Sequence, residues 1–476
     1  MEYFLDEVTS KDILLENMRK MNSFGDRLTG TKGHNEFCRW LEEQLHDMGQ
    51  ETFSNEYEFE KWEAKRCALN VGGEDIHVSS AFHYSGLTGE EGVAGELRLT
   101  GNSPLSFSLA RGKIAVVRIK NLRRISSTIA FNKRASSPED MEIEKSYRGP
   151  VSTSFVKTLL TFPFLKTSKV KGVVCIWEGM SDEMVEGQCL NFILPYLKVP
   201  VVWVNETQGK KVAEAAKAKK TATLTLTGSL EMAKTYSFYT VIEGTDKTSN
   251  EAVIINTHTD GCNFCEENGG IGMLELVRYF KAHPCRRTLI FAFVTGHFRL
   301  PFFRAGLLPS NQATGRWLND NKMLWNGEKY EAVAGCSVEH LGCTEWKDKD
   351  GVYTQTNDVA AELVYTGNKK VDKIYYSAAA DRTLLRTITL RGHNTMHFGE
   401  GQPLSKKGIP EIALVIAPDY LCSVDAAGNA HMDKFNLELM YQQLHTFARC
   451  IMLLDEKSKK EIGRSQPYSF GIGRLK

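Results

Sequence analysis

Asn256-Thr-His258-Thr-Asp260-Gly-Cys-Asn-Phe-Cys-Glu266-Glu267-Asn-Gly-Gly270 follows the apolar run Ala252 to Ile255 and precedes a helical pattern from about Gly270 to His283. A short apolar run, a polar turn and then a helix form the strand-loop-helix unit of an α/β fold. In open sheets of this kind, ligands bind in the crevice beyond the carboxyl ends of the strands. A His-x-Asp pair leaving such a strand, with two glutamates at the helix start, therefore reads as a metal site. The rest of the chain is read outward from it.

Three further apolar runs, Thr288 to Val294, Ala332 to Val338 and Ile412 to Ala417, alternate with helical patterns and extend the same unit. Runs apolar at nearly every position are strands buried on both faces, so the expected fold class is α/β, a mostly parallel sheet sandwiched by helices. Helices are expected from Lys11 to about Met48 and from about Leu437 to Leu454. Between about Val71 and Leu230 the texture changes to short strands with frequent glycines and a helix near Gln208 to Lys217. That stretch reads as an inserted mixed α/β domain. The expected division is thus 1–70 and 231–476 for the main domain and 71–230 for the insertion, with the polar segment Ser126 to Pro150 as a mobile loop.

Composition narrows the function. The 476 residues include 59 basic and 58 acidic side chains, which gives no support to nucleic-acid or membrane-surface binding. The chain is long enough for more than one domain, since single cores stop growing at roughly 250 to 300 residues. No run approaches the ~20 apolar residues that span a bilayer, and the amino terminus lacks a secretion-signal pattern. Eleven scattered cysteines, several inside apolar segments, suit reduced thiols and a cytoplasmic location. Cys262-x-x-Cys265 has only Cys336 and Cys343 as a distant second pair, so packing is the simpler reading of it. No phosphate-binding glycine loop and no nucleophile elbow occurs in its required context.

Ligand-type residues recur at strand exits: His258, Asp260, Glu266 and Glu267, then Gly296-His297, then Glu339-His340, and finally His431 before the last helix. Together with the turn Ser23-Phe-Gly-Asp-Arg27 to Gly33 and Gly408-Ile-Pro410, they resemble the zinc aminopeptidase family. That family includes the bacterial leucyl-type aminopeptidases, glutamate carboxypeptidase and the catalytically silent transferrin receptor. The resemblance covers nearly the whole chain and likens the inserted stretch to a protease-associated domain. It implies a first ion held by His258, Glu266 and Glu339, with Glu267 as a rival ligand, and His431 as the last metal-binding histidine. It also implies that Asp260 orients His258 through the distal ring nitrogen.

The pattern departs at Thr295-Gly296-His297-Phe298, where the family carries paired glutamates. His297 stands in the place of the general base, and Phe298 in the place of a ligand to a second ion. The resemblance therefore implies one divalent ion rather than two, zinc foremost, and a hydrolase of an amide or peptide bond in a small substrate. His340 is a further ligand candidate or a supporting residue, and Arg299 and Glu400 are candidate substrate contacts. Assembly into a homo-oligomer is compatible with the sequence. The competing expectation is a silent member that uses the crevice to bind a ligand or partner.

Overall fold

In the computed structural model, the structure describes residues 4–122, 132–141, 149–159, 161–298, 313–394, 397–424 and 430–468. The expected α/β class holds: a large, mostly parallel sheet is flanked by helices. At its centre the strand Glu251–His258 lies parallel to Thr288–Val294 on one side and to Glu331–Ser337 on the other. Glu331–Ser337 is in turn parallel to Glu411–Val415. Beyond it come Glu362–Thr366, antiparallel, and Thr387–Arg391. Thr288–Val294 is buried at every position, as an apolar run covered on both faces should be.

Two long strands carry the sheet out of this core. Thr221–Ile242 pairs with Thr288–Val294 near its carboxyl end, with Val93–Thr100 near its amino end, and with Phe53–Val71 along most of its length. Val93–Thr100 opens a second parallel set with Ile114–Lys120, Gly172–Glu178 and Val201–Val204. The stretch from 71 to 230 thus contributes its own parallel strands, yet its boundary at 230 falls inside a continuous strand. Within the segment expected to be a loop, Asn132–Ser137 is an edge strand antiparallel to Thr387–Arg391. Positions 126–131 and 142–148 of that segment lie outside the described residues.

The helices follow from apolar spacing and caps. Lys32–Asp47 starts on the Thr31 side chain, which accepts from the His34 amide, and buries Phe37, Cys38, Leu41 and Leu45. The closing helix Leu437–Glu456 starts on Asn436. Gly269–Ala282 lies almost wholly inside. A Cβ on Gly269 would collide with the Val338 carbonyl and the Thr257 hydroxyl, so glycine there lets the helix start close against two strand ends. Among the described residues, no helix is long and apolar enough to cross a membrane.

Glu411 offers a test of this core. Its carboxyl is fully buried and accepts from the Ser465 hydroxyl at 3.0 Å. Burial, opposed by the Ser405 and Ser465 hydrogen bonds, pushes it up from 4.5 to about 8. A group raised on folding contributes stability that is full below its unfolded pKa and is lost as pH rises through the folded value. At about 1.4 kcal/mol per unit the loss is on the order of a few kcal/mol. Glu411→Gln cannot ionise, so its melting temperature should fall less than the wild type's between pH 4.5 and 8. Equal slopes would refute the assignment.

Candidate metal centre

Three adjacent strand ends deliver the site. His258 is the last residue of Glu251–His258, His297 follows Thr288–Val294 by three residues, and Glu339-His340 follow Glu331–Ser337 by two. Glu266 comes from the loop before Gly269–Ala282, and Glu400 from the turn before the short helix Gln402–Lys406. The side chains of His258, Glu266, Glu339, His340 and Glu400 are at most 3% exposed, and that of His297 is 14% exposed.

Two ring orientations decide what the centre can hold. His258 Nδ1 lies 2.8 Å from the Asp260 carbonyl, and His340 Nδ1 lies 2.8 Å from the Ile416 carbonyl. A carbonyl only accepts, so each Nδ1 carries the proton and each Nε2 presents a bare lone pair. Burial and the neighbouring His297 charge push the His258 pKa down to about 3. Burial, with His258 and His297, drives His340 well below its usual range. These two bare nitrogens face each other at 3.3 Å. Glu339 Oε2 lies 3.8 Å from His258 Nε2 and 3.9 Å from His340 Nε2, and Glu266 Oε2 lies 3.5 Å from the latter. Both carboxylate oxygens are buried without a hydrogen-bond partner.

Four acceptors pointing at one another are repulsive unless a positive charge lies between them. Burial and the Glu400 carboxylate push Glu339 up to about 8, and burial lifts Glu266 well above the usual carboxylate range despite the opposing pull of His297. A divalent cation answers the same demand. With Zn–N of about 2.0–2.1 Å, tetrahedral geometry sets two nitrogens roughly 3.3–3.4 Å apart, which the His258–His340 pair meets. His258, Glu339 and His340 lie close enough to share an ion, as do His258, Glu266 and His297. His258 has one free nitrogen and belongs to both sets, so the two cannot be filled independently.

His297 stands beside this cluster. Its ring stacks on that of His258 at 4.0 Å and 10°, and its Nδ1 lies 3.0 Å from Glu400 Oε1. The other nitrogen, Nε2, is 3.7 Å from Glu266 Oε1. Burial would lower its pKa, but the Glu400 hydrogen bond and charge, with Glu266 and Asp260, carry it up to about 9. Glu400 is itself fixed: Oε2 accepts from the Thr314 amide at 2.7 Å, and the Glu400 amide donates to Glu339 Oε1 at 2.7 Å. Both Glu400 oxygens are thus engaged, Oε1 by His297 and Oε2 by the Thr314 amide.

Other expectations change in detail. Asp260 holds His258 through its backbone carbonyl, while its carboxylate accepts from the Thr29 hydroxyl and, at 2.9 Å, from the Phe298 amide. Glu267 forms a buried ion pair with Arg27, which turns it from the cluster and leaves Glu266 as the inward glutamate. His431 does not join either ligand group; its Nε2 lies 2.8 Å from Ser423 Oγ. The imidazole that faces His258 is that of His340, which sits in the left-handed region at φ 55°. Phe298 is buried, 4.5 Å from the Phe192 ring, so an apolar pair fills the side where a second carboxylate was absent. Arg299 lies outside the described residues. All eleven cysteines are free, and among the described residues none belongs to a metal-suited group.

The Glu400–His297 pair had no sequence signal, because its members are 103 residues apart. Arg27 and Thr29, from the glycine-punctuated turn, also reach the centre unannounced. A cleft of about 490 Å³ is lined by Asn121, Gly149, Met180, Trp346 and Asp419, and by none of the cluster's own side chains. Its lining residue Ala417 follows Ile416, whose carbonyl holds His340.

No protein-family profile and no curated protein matches the chain. Solved structures do match. An aminopeptidase from Aneurinibacillus sp. strain AM-1 aligns at 15% identity over 97% of this chain and 96% of its own, with a TM-score of 0.62. BSAP, a zinc aminopeptidase from Bacillus subtilis, aligns at 13% identity over 95% and 98%, with a TM-score of 0.64. A peptidase M28 precursor from Shewanella amazonensis SB2B aligns at 12% identity over 96% and 99%, with a TM-score of 0.60. At these identities the likeness is one of fold, and the chain shares the fold of these peptidases over nearly its whole length.

Proposed function

We propose that the chain is a metal-dependent hydrolase of an amide or peptide bond in a small substrate, working with a single divalent ion. The observation that carries this reading is the pair of bare imidazole nitrogens at 3.3 Å beside two unpartnered carboxylate oxygens. His258, His340 and Glu339 would hold the ion as its three protein ligands, and Glu266 would stand beside it without ligating it. Imidazole and carboxylate donors in a tetrahedral spacing suit zinc. The fold shared with a zinc aminopeptidase supports the same choice.

A zinc ion bound there supplies Lewis acidity and a water ionisable near neutral pH. The chain's own residues do the rest. Glu400 holds Nδ1–H of His297, so the proton that moves is the one at Nε2, on the side facing Glu266. Phe192, 5.9 Å from the His297 ring and 4.5 Å from that of Phe298, makes the flank beside His297 apolar. Phe192 belongs to the stretch 71–230, which on this reading is an inserted protease-associated-like domain that helps to enclose the centre.

The experiment is a hydrolysis assay on aminoacyl p-nitroanilides and dipeptides, run before and after chelation. Cleavage should disappear with the metal and return with added zinc, manganese or cobalt. Cleavage indifferent to chelation would overturn the proposal, and a metal-loaded chain that cleaves none of these substrates would favour the silent binding protein.

A further inference from the structure

Beyond Phe192, whose ring meets that of Phe155 at 5.7 Å, the stretch 71–230 presents a tip built from Pro104–Ser108, Pro150–Thr158, Phe162–Phe164 and Leu165–Ser168. Internal contacts make it one surface. The rings of Phe107 and Phe162 meet edge to face at 5.7 Å, the Asn102 amide donates to the Lys157 carbonyl at 2.6 Å, and the Gly112 amide donates to the Lys169 carbonyl at 2.9 Å.

The tip holds large apolar side chains out to solvent. Leu105 is 84% exposed, Leu109 69%, Val156 54% and Phe164 46%; the first two are the most exposed large apolar residues among those described. The two segments that carry them bear charge of one sign. Residues 101–122 and 149–172 carry four lysines and arginines each and no acidic residue at all. Lys113 and Arg118 are paired with Glu96 and Glu178. Arg111, Lys157, Lys166 and Lys169 make no ion pair among the described residues. The chain's net charge of +1 conceals this local excess, which is why composition alone argued against a membrane surface.

We propose that this tip docks on an anionic lipid surface, with Leu105, Leu109 and Phe164 entering the acyl boundary while Arg111, Lys166 and Lys169 meet the headgroups. The occupant is chosen by charge and shape. A second copy packed face to face would set these cations against their own duplicates. A protein partner would need a separate pocket for each protruding side chain, whereas fluid acyl chains accept them without one. Exposed apolar side chains on segments whose only charges are lysine and arginine are what interfacial binding requires. This inference is independent of the hydrolase reading.

The test is flotation of the full chain with phosphatidylcholine vesicles, with and without phosphatidylserine. The chain should float with the phosphatidylserine vesicles and dissociate as salt is raised. Leu105→Glu with Leu109→Glu should abolish flotation, and Lys166→Glu with Lys169→Glu should weaken it by about tenfold or more. All four positions are at the surface, and unchanged melting curves would show that both variants fold. No flotation, equal flotation with and without phosphatidylserine, or flotation that survives both double variants would overturn the proposal. A soluble dimer split by the same variants, without vesicle binding, would assign the tip to a second copy instead.

Discussion

His340→Ala is expected to strip the protein of its metal. The variant removes one of the two imidazole nitrogens that face each other at 3.3 Å, and leaves His258 with two carboxylates, both of which burial drives toward the protonated form. Loss of a hydrogen-bonding partner behind a ligand typically costs about 10–100-fold in metal affinity, and loss of the ligand itself should exceed that. Zinc titration against a chromophoric chelator reads the change. His431→Ala is the matched control, because His431 is turned to Ser423 and should leave the affinity as it was. If His431→Ala emptied the centre and His340→Ala did not, the ligand set inferred from sequence would be right and the one drawn from the geometry wrong.

His297→Ala should leave the metal in place and lower the rate of hydrolysis by about 10²–10⁴-fold, the usual contribution of a positioned acid or base. The distinction matters, since the same ring stacks on His258 and a structural role would instead disturb metal affinity. Glu400→Gln separates positioning from charge. The amide can keep a contact to Nδ1, but the charge that helps to carry His297 up to about 9 is gone. The limb of the rate profile governed by His297 should therefore move to lower pH in that variant, with KM little changed. A rate that survives His297→Ala, or a profile that does not move in Glu400→Gln, would remove His297 from the chemistry.

Much of this was legible in the sequence, for physical reasons that differ from part to part. Ala252 to Ile255 and Thr288 to Val294 announced themselves because strands buried on both faces need apolar residues at every position. Phe53–Val71 and Thr221–Ile242 were harder to see as single ribbons: their mixed burial gives a weak alternation of polar and apolar residues. At the centre, His258, Glu266 and Glu339 could be picked out by their places after strands. The choice between Glu266 and Glu267 was not a matter of spacing. What distinguishes them in space is Arg27, more than two hundred residues earlier, which pairs with Glu267.

The proposal of His340 in place of His431 has a similar origin. Motif position favoured His431, but position along the chain does not say which way a side chain points. The left-handed backbone at His340 and the Ile416 carbonyl behind its ring aim Nε2 at His258, and neither feature leaves a mark in local sequence. Phe298 tells the same story from the other side. Its apolar side chain was visible as a departure, and Phe192, from the stretch 71–230, is what it packs against.

The central claim is one ion held by His258, His340 and Glu339. Its most direct test is a crystal of the zinc-loaded chain, measured on both sides of the zinc absorption edge. A single anomalous peak within bonding distance of the two facing Nε2 atoms and of Glu339 is the predicted result. Two peaks, with His431 drawn in to hold the second, or no peak at this cluster, would contradict it.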